Sequence, residues 1–232
     1  MALDPQPLAD APPGPRAMSA RALGAAVVLL GSVVAAHGLD VDTAPYRKAA
    51  AAGALGAVSG RAFEERRTPD AAEQPLAGTV VTLLPRSGVL LGRLEEIRAR
   101  ARDSETAYRT SATTIRRARE AYEKELWEAG AADLVRTTVV DGAGAFSVAD
   151  LPAGEWMLIA TRSVFVDKPS PRSNPRERKT YLPRLRLIGY HAVSVWLREL
   201  TVDAGETRVV ELSDRNGWFT GIEEERVLDA DP

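Results

Sequence analysis

Turn signals recur along this chain at intervals that admit only short strands, and that spacing restricts the fold more than any other feature. Pro75-Leu76-Ala77-Gly78 precedes the β-branched run Thr79–Leu84, which Pro85 bounds. Asp141-Gly142-Ala143-Gly144 lies between Arg136–Val140 and Ala145–Val148, and an Asp-Gly pair between apolar runs is a strong hairpin signal. Leu151-Pro152-Ala153-Gly154 precedes Trp156–Ala160, and Asp203-Ala204-Gly205-Glu206 turns into Arg208–Leu212. Ala57–Phe63 forms a further strand pattern upstream, and Val193, Val195 and Leu197 alternate with Ser194, Trp196 and Arg198. Short strands separated by turn residues predict a mainly β chain folded as a sandwich.

The order of these signals resembles the carboxypeptidase regulatory-like family, which implies a transthyretin-like β-sandwich of about seven strands within the Ig-like architectures. The resemblance rests on Gly60, on Pro75-Leu76-Ala77-Gly78 with Val80 and Leu83, and on Asp141-Gly142-Ala143-Gly144-Ala145-Phe146. Leu151-Pro152-Ala153-Gly154-Glu155-Trp156 and Val202-Asp203-Ala204-Gly205-Glu206-Thr207 complete it, so that it covers residues 56–90 and 134–213. Two departures stand out. Trp156 occupies a place where the family usually has Tyr, and Arg93–Glu128 intervene where the family joins its second and third strands tightly. The resemblance implies an accessory module with no activity of its own, since fold alone does not confer function.

The intervening stretch has neither Gly nor Pro and is dominated by helix formers. It predicts a helical insertion over 91–129, with Ser87 as its cap and Gly130 as its stop. Leu94, Ile97, Ala101, Ser104, Tyr108, Ser111, Ile115, Ala118 and Tyr122 recur at alternating spacings of three and four, the pattern of a heptad seam. Leu94, Ile97, Tyr108, Ile115 and Tyr122 are its candidate interface residues. Glu96–Arg100, Glu105–Arg109 and Glu120–Lys124 stand four apart with the acid first, the favourable order for surface pairs. One continuous helix would be about 55 Å long at 1.5 Å per residue, against about 20 Å for a sandwich strand. The helix therefore either projects as an arm toward a partner or bends back near Ser111-Ala112-Thr113-Thr114. The weak middle of the seam favours packing on its own domain.

The N-terminal region reads as an address. Residues 1–17 are a Pro-rich tail, either disordered or the product of a start placed at Met1 rather than Met18. From Met18 a basic region ending at Arg21, an uncharged run Ala22–Ala36 and the small residues around Gly38 form the layout of a secretory signal peptide, with an uncleaved N-terminal anchor as the alternative. Residues 39–55 read as a linker or short helix, 56–222 as the sandwich, and 223–232 as an acidic tail.

Little here points to catalysis. The chain has 232 residues, a net charge of -2, no cysteine and two histidines. Thiolate chemistry, disulfides and Cys-ligated metals are thereby excluded. No global field draws the chain to nucleic acid. His37 falls in the signal segment; His191 has no Gly-x-Ser-x-Gly motif beside it and reads as a surface residue. Asp141-Gly142-Ala143-Gly144 resembles the start of a calcium loop, but Ala143 offers no oxygen at the second ligand position. No phosphate loop is found, and neither metal nor cofactor is expected. One charged patch stands out: Lys168, Arg172, Arg176, Arg178, Lys179, Arg184 and Arg186, opposed only by Asp167 and Glu177, form a candidate contact for anions or an acidic partner.

These features point to a non-catalytic, exported binding or assembly module of the cell envelope, periplasmic or extracellular. Its expected partner is an envelope protein or glycan, with membrane contact only through an uncleaved N-terminus. The competing expectation is an adaptor that oligomerises or docks through its heptad-patterned helix. Phe146 and Trp156 follow tight turns and are the expected core aromatics. Phe146→Ala and Trp156→Ala should each cost about 3–5 kcal/mol by urea denaturation; a loss below about 0.5 kcal/mol, as at an ordinary surface site, would remove them from the core.

Overall fold

The computed structural model describes residues 39–66, 68, 70–167 and 185–228. The tail 1–17, the segment 18–38 and residues 229–232 lie outside the described residues. So do Lys168, Arg172, Arg176, Arg178, Lys179 and Arg184 of the basic stretch.

The elements follow in the order α1 (Ala44–Ala51), β1 (Leu55–Glu64), β2 (Gln74–Pro75), β3 (Val80–Pro85), α2 (Gly88–Arg100) and α3 (Glu105–Glu128). Then come β4 (Arg136–Val139), β5 (Ala145–Pro152), β6 (Gly154–Asp167), β7 (Leu185–Val202), β8 (Thr207–Ser213) and β9 (Phe219–Leu228). In one sheet β1 is central, antiparallel to β2 and β5 and parallel to β8. The other sheet is antiparallel throughout, in the order β4-β3-β6-β7-β9. The mainly β sandwich is thus present.

Its core lies between the sheets. Trp156, Leu158, Leu83 and Trp196 are buried there with Val58, Ala62, Phe146 and Leu212. The indole N–H of Trp196 donates across to the Ser213 carbonyl at 2.7 Å. Gly60 is required by close approach: a Cβ there would stand 2.1 Å from the Val210 carbonyl oxygen and 2.5 Å from the Phe146 ring. At the Asp141 turn Gly144 takes φ +82°, and the Asp141 carboxylate accepts from the N–H groups of Ala143 and Ala145. That oxygen closes a turn rather than holding a metal. Trp156 is fully buried, and its N–H donates to the Pro152 carbonyl at 2.9 Å. The Tyr46 ring meets it edge-on at 5.3 Å, and the Tyr46 hydroxyl donates to the Glu155 carbonyl.

Tyr46 belongs to α1, so the stretch 39–55 is structured rather than a linker. Pro45 stands in the first turn of α1, where its missing N–H costs nothing. Leu39 and Val41 pack on the core. The Asp40 carboxylate accepts from the Ser87 hydroxyl at 2.9 Å and from the Val89 N–H at 3.1 Å, while Ser87 accepts from the Leu90 N–H at 2.9 Å. Asp40 and Ser87 together satisfy the open end of α2, a contact between distant segments that composition does not reveal.

The insertion is helical but bends ten residues before the expected place. The chain leaves the helix at Ala101 and restarts at Ser104, whose hydroxyl accepts from the Ala107 N–H at 3.0 Å. Ser104, which falls on the seam by spacing, is an N-cap. The adjacent Asp103 shares the tendency of short polar side chains to compete for backbone bonds. At the far end Gly130, at φ +69°, stops α3.

α3 covers the face of the five-stranded sheet that points away from the sandwich core. Met157, Ile159, Leu84 and Thr82 alternate with the inward residues, yet they too are buried. Ile115, Ala118, Tyr122 and Leu126 are the buried residues opposite, and the Tyr122 hydroxyl donates to the Pro85 carbonyl at 3.1 Å. Gly221 of β9 faces Ala112. Glu223 and Glu224 point to opposite faces of β9, yet they pair with Arg116 and Arg109 at 3.3 and 3.4 Å. α3 therefore runs along the open edge of β9 and blocks it, one of the ways sheets avoid edge pairing. The seam is consumed by its own domain: Leu94, Ile115 and Tyr122 are buried and Ile97 is half-buried, but Tyr108 is 41% exposed and is no part of it. Glu120 bonds Arg116 rather than Lys124, which reaches Glu128 instead.

The acidic run Glu223-Glu224-Glu225 is likewise no tail. It lies inside β9, registered against His191, Tyr190 and Gly189 of β7. Arg116, Arg109, Arg226 and His191 provide the compensating partners that a solvated tail would not need.

Ile115→Asp should therefore destabilise the monomer severely, by about 3 kcal/mol or more, since it places an unpaired carboxylate in a buried seam. Ile97→Asp should cost much less. Neither should change the sedimentation coefficient of the folded fraction; a shift from dimer to monomer with an unchanged urea midpoint would return the seam to an intermolecular role.

Candidate functional site

The elbow between α2 and α3 opens a cleft of roughly 550 Å³ against the start of β9. Arg98 comes from the last turn of α2, Arg102 from the bend, Tyr108 from the first turn of α3, and Gly217 to Thr220 from the entry to β9. A volume in the hundreds of Å³ is typical of small-molecule sites.

One wall is stiff. The Trp218 N–H donates to Glu95 at 2.9 Å, Arg98 pairs with the other oxygen of Glu95 at 2.7 Å, and the Arg98 guanidinium lies 5.0 Å from the centre of the Trp218 ring. The backbone N–H of Trp218 donates to the Val195 carbonyl at 2.8 Å, which ties this wall to β7. A guanidinium that pairs with a carboxylate while it lies over an aromatic ring suits Arg rather than Lys. The opposite wall is more open. Tyr108 is 41% exposed, and Arg102 is exposed and makes no ion pair among the described residues. No carboxylate lines the cleft. The site thus presents a free aromatic face, a free guanidinium fork and the Thr220 hydroxyl.

Of the described candidate site residues expected from sequence, Tyr108 enters this cleft, beside Ala101 of the seam. Leu94, Ile97, Ile115 and Tyr122 went into packing. Arg186 lies on β7, registered against Val227, at the far end of the same sheet. Arg98, Arg102 and Trp218 were missed. Asp103-Ser104 was the available signal, because a helix break there would have brought Arg102 and Tyr108 to one corner.

A second cluster gathers around the part-exposed His191. Its Nδ1 is 3.1 Å from the Ser163 hydroxyl and its Nε2 is 3.1 Å from Glu225, so the ring bridges β6, β7 and β9. The Phe165 ring lies tilted beside it, with centroids 5.3 Å apart. Serine, histidine and a carboxylate are in line, but His191 and Glu225 are about a third to a half exposed on an open sheet face. Their bonds compete with water there. The cluster ties the three strands together laterally.

Strongly perturbed ionisation lies away from the cleft. Burial raises the Tyr46 phenol, and burial followed by the Asp40 carboxylate raises Tyr122. Burial raises Glu123 and lowers Arg198, whereas the hydrogen bond that Arg86 donates to the Glu199 carboxylate raises Arg86. All of these are packing or ion-pair positions. Among the described residues no group of His, Asp or Glu is placed to hold a metal ion, and no helix is long and apolar enough to cross a membrane.

No family model matches the chain, and no curated protein matches it in sequence. Among solved structures, a candidate carbohydrate-binding protein of Pseudomonas aeruginosa is similar over 69% of this chain and 88% of its own, at 15% identity and a TM-score of 0.38. The minor pilin GBS52 of Streptococcus agalactiae is similar over 77% of this chain and 48% of its own, at 10% identity and a TM-score of 0.28. For the pilus backbone protein RrgB of Streptococcus pneumoniae the figures are 69%, 41%, 11% and 0.27. The chain spans less than half the length of each pilus protein.

Ser163→Ala and His191→Ala should each shift the urea midpoint by no more than about 1 kcal/mol, as suits half-exposed hydrogen bonds. A loss of 3 kcal/mol or more would show that the tie holds the sheet together.

Proposed function

We propose that this chain is an exported, non-catalytic β-sandwich module that binds a component of the cell envelope, with the α2–α3 elbow as its binding site. The observation that carries this reading is the elbow cleft, in which a stiff Trp218–Arg98 wall faces a free Tyr108 and a free Arg102. Aromatic faces beside fixed polar donors suit a sugar or a polar segment of an envelope protein, because both present apolar C–H faces among hydroxyls and carbonyls. The helical hairpin supports the same reading. It spends its apolar seam on its own sheet, while its elbow overhangs the cleft. The module is read as a carboxypeptidase regulatory-like sandwich with the hairpin spliced between its second and third strands, supported by the order of its turns.

Export is read from the basic, uncharged and small-residue order of 18–38. Cell fractionation with intact-mass measurement tests it. The chain should be recovered from the envelope or medium without the residues before about Gly38, or membrane-bound with them. Full-length chain soluble in the cytoplasm would overturn the proposal.

A further inference from the structure

The geometry points to an acidic saccharide, a pyranose bearing a carboxylate, as the ligand of the elbow cleft; this rests on the binding role proposed above for the same site. Three observations select that class. First, the charge of the lining is one-sided: Arg98 and Arg102 contribute cations, and none of the lining residues is Asp or Glu. The carboxylate of the stiff wall, Glu95, is committed to Arg98 and to the Trp218 indole N–H. It compensates Arg98, so that Arg102 is the lining cation without an ion pair among the described residues. The protein as a whole is at -2, so this positive corner is local and not part of a general field.

Second, the free cation is a guanidinium. Its planar fork matches a carboxylate with two parallel hydrogen bonds, which a neutral hydroxyl cannot reciprocate. Third, Tyr108 stands across the cleft, 41% exposed, and its hydroxyl has no hydrogen-bond partner among the described residues. It offers a ring for the C–H face of a sugar and a hydroxyl for its rim. Thr220 adds another donor and acceptor at the β9 side. A carboxylate held by Arg102 while its ring lies on Tyr108 would use both of these groups at once.

The test is isothermal titration of the full chain with a galacturonate tetrasaccharide and, in parallel, with neutral cellotetraose. The galacturonate should bind and should weaken as salt is raised. Its affinity should fall tenfold or more in Arg102→Ala and in Tyr108→Ala, with Arg102→Lys in between. Both side chains are exposed, so the urea midpoints of these variants should match the parent and separate lost binding from lost folding. Cellotetraose bound as tightly as the acidic sugar would overturn the acidic specificity and leave the binding role standing. Galacturonate binding that survives Arg102→Ala, or that is lost instead on replacing Arg176, Arg178 and Lys179 with Ser, would move the site away from the elbow and overturn the inference. If neither saccharide binds, the inference falls; the envelope-binding role then stands or falls with capture of an envelope protein that Tyr108→Ala abolishes.

Discussion

Burial of the apolar stripe of α3 on the outer face of the five-stranded sheet is the contact on which the remaining architecture depends. A two-sheet sandwich ordinarily leaves its outer faces to solvent and shows alternating strands. Here β3 and β6 are buried on both sides, which is why Trp156-Met157-Leu158-Ile159-Ala160 is apolar without interruption. The same stripe sets the direction of α3 along β9 and so protects that edge. With α3 held there, α2 can satisfy its own start only through Ser87 and Asp40, and the bend between the helices has to overhang the entry to β9. The cleft is thus a by-product of how the hairpin is anchored at both ends.

Much of the sandwich was legible because its signals are local. Asp141–Gly144, Leu151–Gly154 and Asp203–Glu206 mark turns by the conformations those residues allow, and the buried state of Phe146 and Trp156 follows from their places beside them. Elements whose structure comes from distant partners were not legible. Nothing in Glu223-Glu224-Glu225 announces a strand until Arg109, Arg116 and His191 are placed beside it. Asp40 reads as an ordinary polar residue until Ser87, far along the chain, needs an acceptor. The heptad spacing was real, but spacing records only which residues share a helix face. It does not record what covers that face, and Ser104 fits a seam position and an N-cap equally well until the backbone is seen.

The two polar clusters show how enclosure, more than residue type, decides what a group of side chains does. Ser163, His191 and Glu225 have the composition of a hydrolytic triad, yet His191 and Glu225 are partly exposed to water on strands of the sheet. Arg98, Arg102, Tyr108 and Trp218 have no such pedigree, yet they converge on one concavity from different elements. Convergence of this sort arises where the chain changes direction, which explains why it sits at an elbow and not along a strand.

The bond from Asp40 to Ser87 bears on the timing of maturation. Asp40 is only two positions beyond Gly38, and it is already part of the folded body through α2. A processing enzyme needs several residues of extended chain on both sides of the bond it cuts. Under the proposed cleavage near Gly38, the native state withholds that slack, so processing has to outrun folding or wait for the first turn of α2 to open. A weaker cap at Ser87 would then act on the yield of the mature form before it acted on anything the mature form does.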